Sequence, residues 1–399
     1  MRRKVSSCLL VTLLLMALVS PAGLSAETRR PAPAAPEFSF QAKAALLMDV
    51  GSRQVLYAEN IHERVYPASV TKIMTMLLAM EALAVGKVSL QDTVAVSEEA
   101  AGLGGSQLFL APGDRVSLRD LLIGVGVGSA NDGAVALAEH LAGTVEAFVM
   151  EMNAKADALG MKNSHFVNPH GLHDESHYTT AYDITLMSLE LLRHPQIHEW
   201  LTIWMDEQFL KGKIRKEEGI FLSNPNRLIR SYQGADGLKT GFTAQAGNCV
   251  AATAKRGKTR LLAVVMGAPG RPVLFDQTRK LLDYGFANYT SVPIAQKGEV
   301  LASVPVDKGQ AEKVDLVAAE DLALLFKKGP QVDFSRDLSV PRRLVAPFAA
   351  GDEAGFLVVR AKDGTELGRV TLVPARDVAR ATYLDFLRRF LQRWVRFGR

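Results

Sequence analysis

Apolar and polar positions alternate in three different ways along the 399 residues. Ala44 to Met48 and Val55 to Tyr57 are short apolar runs on either side of Asp49-Val50-Gly51-Ser52, a hairpin pattern. After Pro67-Ala68, the residues Ile73, Met76, Leu77, Met80 and Ala84 recur at three- and four-residue spacing, which predicts a helix with one buried stripe. Leu118 to Gly143, Val145 to Leu159 and Tyr182 to Leu192 read as further helices. The period then changes to strands at Asp236 to Thr243, Asn248 to Lys255 and Thr259 to Gly267, with Lys255-Arg256-Gly257-Lys258 turning between the last two. Leu261 to Met266 is apolar throughout, so that strand is expected to be covered on both faces. A helix follows at about Val273 to Tyr289. This order predicts an α/β domain over residues 40–291 whose first and last strands share one sheet.

From residue 292 the pattern shortens. Val300 to Val306, Lys313 to Val317, Gly355 to Ala361 and Gly368 to Val373 read as strands, and Asp363-Gly364 as a tight turn. Residues 292–375 are therefore expected to form a small all-β domain. Residues 27–39 contain Pro31, Pro33 and Pro36 among alanines and read as a stiff linker. In residues 376–399, the residues Tyr383, Leu384, Leu387, Phe390, Leu391, Trp394 and Val395 fall on one helical face. Asp385, Arg388, Arg389, Gln392, Arg393, Arg396 and Arg399 fill the other. Such a helix lies in a membrane interface, its arginines meeting anionic headgroups; a terminal helix docked on the protein's own core is the alternative.

Composition sharpens this reading through where the charge sits. The chain has 48% hydrophobic and 22% charged residues, a formal charge of +5 and two cysteines, which exclude a disordered chain and a Cys-rich metal or disulfide scaffold. Residues 1–26 read as a signal peptide: Arg2, Arg3 and Lys4, the apolar run Leu9 to Val19, then Leu24-Ser25-Ala26. A retained N-terminal anchor is the alternative. Without that segment the chain carries 44 Lys+Arg against 42 Asp+Glu, net +2, and one thiol, Cys249, read as structural. Seven arginines and two aspartates give the last 24 residues +5, which leaves residues 27–375 at −3. No basic body surface is indicated, so nucleic acid is not expected as a partner. The expected location is the outer face of a cytoplasmic membrane, with the tail as a peripheral anchor.

Three short motifs carry the candidate chemistry. Ser69-Val70-Thr71-Lys72 opens the first long helix, which places a serine and a lysine one turn apart on the same face. A serine at a helix start is surrounded by free N–H groups that can hold an oxyanion. A lysine can take the serine proton only when neutral, so its pKa must fall, and burial or a second cation would lower it. A capping serine with a solvated lysine gives the same pattern. Ser129-Ala130-Asn131 follows Gly124-Val125-Gly126-Val127-Gly128, where no Gly-Lys-Ser/Thr supports a nucleotide cradle. Lys239-Thr240-Gly241 lies on a strand, where lysine and threonine can bind a carboxylate and glycine admits a ligand close to the backbone. Lys239 is also the second cation that would depress Lys72.

In this order, Ser-x-x-Lys, Ser-x-Asn and Lys-Thr-Gly form the active-site set of penicillin-recognising serine enzymes. The chain resembles the low-molecular-weight penicillin-binding proteins, D-alanyl-D-alanine carboxypeptidases of the penicillin-binding-protein-five type, from residue 40 onward. The likeness extends to Gly105-Ser106-Gln107-Leu108-Phe109-Leu110-Ala111-Pro112-Gly113, to Asp132, to Asn168-Pro169-His170-Gly171-Leu172 and to Ala263-Val264-Val265-Met266-Gly267-Ala268. It implies a β-lactamase/DD-peptidase-like fold, an antiparallel sheet flanked by helices, and a cofactor-free acyl transfer on peptidoglycan stem peptides. By the same resemblance Ser69 is the nucleophile, Lys72 the general base and Ser129 a proton relay. Asn131 binds the substrate amide, Lys239 and Thr240 hold the terminal carboxylate, and the N–H groups of Ser69 and Phe242 form the oxyanion hole. Penicillins are expected to acylate Ser69. One departure stands out: the best-studied relatives carry histidine where this chain has Phe242.

Three other readings compete. A serine β-lactamase shares the motifs, yet residues 150–200 contain no Glu-x-x-Leu-Asn element to activate a deacylating water. A metal hydrolase would use His165, His170, His173, His177 and Asp174, but the segment lacks helical His-x-x-x-His spacing, and no metal is expected. A non-catalytic wall-binding homologue would have no need of all five of Ser69, Lys72, Ser129, Asn131 and Lys239.

Overall fold

The computed structural model describes residues 40–329 and 333–388. The segments read as signal peptide and linker lie outside the described residues, as do residues 389–399 of the tail. Five antiparallel strands form the main sheet, in the order Val55–Glu59, Ala44–Asp49, Thr259–Ala268, Gly247–Arg256, Ala235–Thr243. The first and last parts of the domain thus meet at its centre, with Ala44 opposite Met266 and Asp49 opposite Leu261.

Period-two alternation sorts the central strands onto two cores. Leu46, Met48, Ala251, Leu262, Val264 and Met266 face the larger helical layer. Leu47, Val250, Ala252, Leu261, Ala263 and Val265 face the helix Arg271–Asn288. This explains the unbroken apolar run from Leu261 to Met266, every residue of which is fully buried.

The apolar stretch Leu118 to Gly143 is two helices, Leu118–Gly126 and Asn131–Ala142, where the pattern predicts one. The glycines explain the break. A β-carbon on Gly126 would lie 2.7 Å from Leu201, and one on Gly128 would lie 2.6 Å from Leu222. Both glycines let neighbours approach closely, and glycine itself weakens a helix by about 1 kcal/mol. Ser129 occupies the resulting turn in a left-handed conformation, φ +61°. The first motif is also modified: Ala68–Thr71 is a 3-10 turn that runs into the helix Lys72–Ala84.

Beyond the helix Arg271–Asn288 the chain is all β. Tyr289–Ala295 pairs with Leu322–Lys327. A second sheet follows the order Phe334–Ser339, Gly355–Ala361, Glu366–Pro374, Lys313–Ala318, Val300–Asp307, Leu344–Val345. Its core is built on Val304, Val314, Leu316, Leu357, Val359 and Leu372. The pattern misses Tyr289–Ala295, Leu322–Lys327, Phe334–Ser339 and Leu344–Val345. Phe334–Ser339 is an edge strand with mostly exposed side chains, so it carries no alternation. The tail begins as a helical turn over residues 383–388 that leaves Tyr383, Leu384 and Leu387 exposed.

Candidate active site

A cavity of about 530 Å³ opens between the helical layer and the strand Ala235–Thr243, and Ser69, Ser129, Thr240, Gly241 and Phe242 line it. The three motifs therefore meet at one place. Gly241 makes the approach possible: a β-carbon there would fall 2.8 Å from the Ser69 amide nitrogen and 3.0 Å from the Pro67 carbonyl oxygen. The backbone at Phe242 is thereby brought beside the Ser69 N–H.

Lys72 is completely buried. Its Nζ lies 3.1 Å from Ser69 Oγ, 2.7 Å from Asn131 Oδ1 and 2.6 Å from the His170 carbonyl oxygen. Burial holds its pKa well below the usual lysine value, the nearby Lys239 lowers it further, and Asp132 opposes both. A neutral amine has two N–H bonds and one lone pair. Asn131 Oδ1 and the His170 carbonyl can only accept, so they take the two hydrogens, and the lone pair is left for the Ser69 hydroxyl. The orientation of Asn131 follows from its other partner, because Nδ2 donates to the Gly104 carbonyl at 2.7 Å. One amide hydrogen of that group remains for a ligand.

Lys239 is almost as buried, and its Nζ donates to the Thr240 carbonyl at 3.0 Å. Burial brings its pKa down to about 7. Of the two lysines, Lys72 is the one held neutral, since an anionic ligand entering beside Lys239 and Thr240 would raise Lys239 again. Arg227 and Arg271 also line the cavity, and among the described residues lining it none is acidic. The site is thus built for a negatively charged ligand end. These two arginines escape a reading of the sequence. One precedes a four-residue helical turn and the other opens a helix, and no local pattern links them to Lys239.

The histidines of the cluster are engaged in hydrogen bonds and ring packing. His177 Nδ1 accepts from the Val167 N–H at 3.2 Å, so Nε2 carries the proton and donates to Thr71 Oγ1 at 2.8 Å. His170 Nδ1 accepts from the Leu172 N–H at 3.1 Å. His165 Nδ1 bonds the Ser176 carbonyl and His173 packs edge-on against Tyr66. Burial lowers His170 to about 3 and His177 to about 4, so both are neutral. Among the described residues no group of three or more His, Cys, Asp or Glu could hold a metal ion. The loop instead backs the Ser69–Lys72 turn, helped by Thr75 Oγ1 donating to the Pro169 carbonyl at 2.6 Å. Cys249 is a buried free thiol, raised to about 11 by burial.

Residues 29–270 match the family model described as D-alanyl-D-alanine carboxypeptidase, and residues 289–380 match the penicillin-binding protein 5 C-terminal domain. The chain is 39% identical over 396 residues to D-alanyl-D-alanine carboxypeptidase DacF of Bacillus subtilis, covering 99% of this chain and 100% of that one. Penicillin-binding protein 5 from Haemophilus influenzae superposes with a TM-score of 0.69 at 34% identity, over 86% of this chain and 99% of that one. Penicillin-binding protein D2 from Listeria monocytogenes, in its ampicillin-bound form, aligns with a TM-score of 0.56 at 33% identity, over 63% of this chain and all of that one. With the motif geometry and both domains accounted for, the chain belongs to the D-alanyl-D-alanine carboxypeptidase family of serine peptidases.

Proposed function

We propose that this enzyme removes the terminal D-alanine from peptidoglycan stem pentapeptides through an acyl-enzyme on Ser69. The observation that carries this is the Lys72 amine, neutral, buried and aimed at Ser69 Oγ by Asn131 and the His170 carbonyl. Lys72 takes the hydroxyl proton as Ser69 Oγ attacks the carbonyl of the D-Ala–D-Ala bond. The N–H groups of Ser69 and Phe242 hold the oxyanion. Ser129 relays the proton to the departing amine, and the C–N bond breaks. Asn131 binds the substrate amide with its remaining hydrogen. Lys239 and Thr240 hold the terminal carboxylate, with Arg227 and Arg271 adding positive charge at the same cavity. Water then attacks the ester, and Lys72 accepts its proton and passes it to Ser69 Oγ as the acyl–oxygen bond breaks. The shortened peptide leaves with Ser69 and neutral Lys72 restored. Penicillins take the substrate's place and acylate Ser69.

The test is Ser69→Ala with fluorescent penicillin and a pentapeptide. Wild type is expected to form an adduct and release D-alanine, and the variant to do neither; a stable adduct on the variant overturns the nucleophile assignment. Fast penicillin turnover without peptide cleavage would instead favour the β-lactamase reading.

The same reading places the enzyme outside the cytoplasmic membrane, after removal of residues 1–26, with residues 376–399 as an anchor. Supporting it are the signal-like N-terminus, the arginine-rich apolar pattern of the tail and the exposed Tyr383, Leu384 and Leu387 at its start. Among the described residues no single helix is long and apolar enough to cross a membrane. Flotation with phosphatidylglycerol vesicles, comparing the chain with one ending at residue 375, checks this: both floating, or neither, would remove the tail's role.

A further inference from the structure

Asp132 follows Asn131 in the first turn of the helix Asn131–Ala142 and is 1% exposed. Its partners are backbone amides. The Leu108 N–H reaches both oxygens, at 3.0 and 2.9 Å, the Leu110 N–H reaches Oδ2 at 3.2 Å, and the Gly133 N–H reaches Oδ1 at 2.8 Å. Burial raises the Asp132 pKa above the usual carboxylate value, and the amide hydrogen bonds work against that rise. Each oxygen faces donors, which is the pattern of an ionised carboxylate, and the helix N-terminus favours the same charge. Two further bonds tie the same pieces together. The Asn131 N–H donates to the Ser106 carbonyl at 2.8 Å and Asn131 Nδ2 to the Gly104 carbonyl. A buried carboxylate held only by amides is a costly way to stabilise a fold, so its position beside the reacting groups calls for a role there.

We propose that Asp132 is a positioning residue for acylation. Its carboxylate pins the wall at Leu108 and Leu110, next to the Ser106 and Gly104 carbonyls that fix Asn131, so that Asn131 holds Lys72 against Ser69. Its negative charge acts on the Lys72 amine. This rests on the reading of Ser69 as nucleophile and Lys72 as base. The charged and titratable groups facing Lys72 are Lys239 from the strand, Asp132 from the helix, and His170 and His177 from the loop. The two histidines are neutral, so Lys239 and Asp132 act alone as opposing charges. A base pushed too far below the working pH accepts a proton poorly, and Asp132 counters that push.

Acylation of the full chain by fluorescent penicillin, measured by stopped flow across pH, tests this with Asp132→Asn and Asp132→Glu. D132N is expected to acylate about tenfold more slowly at neutral pH. Its acidic limb should move down by about half a unit, because Lys72 loses the charge that favours its protonated form. D132E keeps the charge, so its limb should stay at the wild-type position while its rate falls through the displaced wall. A wild-type rate in D132N, or a slower rate with an unmoved limb, overturns the proposal. If melting curves show D132N unfolded, D132E decides alone, and a wild-type rate there overturns it. Failure of the underlying reading looks different: it appears as an adduct on Ser69→Ala or none on the wild type.

Discussion

Gly171 is packed directly against the carbonyl of Ala68, the residue before Ser69. A β-carbon at Gly171 would overlap that carbonyl and fall 2.8 Å from Thr71 Oγ1. Gly171 has φ +84° and Ala68 φ +48°, so two left-handed residues interlock beneath Ser69. Gly171→Ala should cost about 2–4 kcal/mol in urea melts, combining left-handed strain with overpacking, and slow penicillin acylation more than tenfold. Gly160→Ala is the control: its φ is +75° with nothing within 4 Å, so it should cost only about 1–2 kcal/mol and leave acylation unchanged.

Replacing Lys72 by Gln removes the lone pair and retains most of the volume. Acylation by penicillin should fall about 10²–10⁴-fold. Asn131→Ala should lower the rate by less, since the His170 carbonyl still directs the amine. Equal losses in the two variants would mean that Asn131 acts directly in the chemistry.

Lys239, at about 7 in the fold, predicts an alkaline limb for kcat/KM on a peptide with a free carboxylate. As pH rises through about 7 the ammonium is lost, carboxylate binding weakens and KM rises. Protonation of Lys72 supplies the acidic limb. A peptide amide, lacking the carboxylate, should show the acidic limb only.

Stability should fall in acid through the buried histidines. His177 titrates near 6.5 unfolded and about 4 folded, so below 6.5 the unfolded chain binds the proton first. The loss begins at about 6.5 and is complete near 4, amounting to about 3 kcal/mol. His177→Gln should flatten the pH dependence of Tm in that window, and an unchanged slope would exclude His177 as its source.

Phe242 is 60% exposed at the cavity mouth, and its assigned role uses only its N–H. Phe242→Ala should therefore acylate within about threefold of wild type. A large loss would assign the ring itself to ligand binding.

Much of this site is legible in the sequence because its chemistry sits on regular elements. Ser69 and Lys72 are one turn apart, and Lys239 with Thr240 lies on a strand whose period is plain. What escapes does so for physical reasons. One of the two acceptors that aim Lys72 is the His170 carbonyl, a main-chain atom that every residue possesses. The glycines Gly124, Gly126 and Gly128 read as part of one helix because the side chains that need their space, Leu108, Leu201 and Leu222, lie elsewhere in the chain. Arg227 and Arg271 acquire meaning only when two loops close on one cavity. The strand Phe334–Ser339 has one edge in solvent and almost no buried side chain, so hydrophobic patterning has nothing to register.

The strand order has a consequence for how the enzyme comes into being. Ala44–Asp49 takes its place only when Thr259–Ala268 arrives beside it. A chain growing from its N-terminus therefore displays Ser69, Lys72, Ser129, Asn131 and Lys239 before the five-stranded sheet can close. Reactivity should then switch on late and all at once, as a property of the closing strand. A fragment ending before residue 259 contains all five of these side chains and should be inert to penicillin. Labelling nascent chains of increasing length would time that moment.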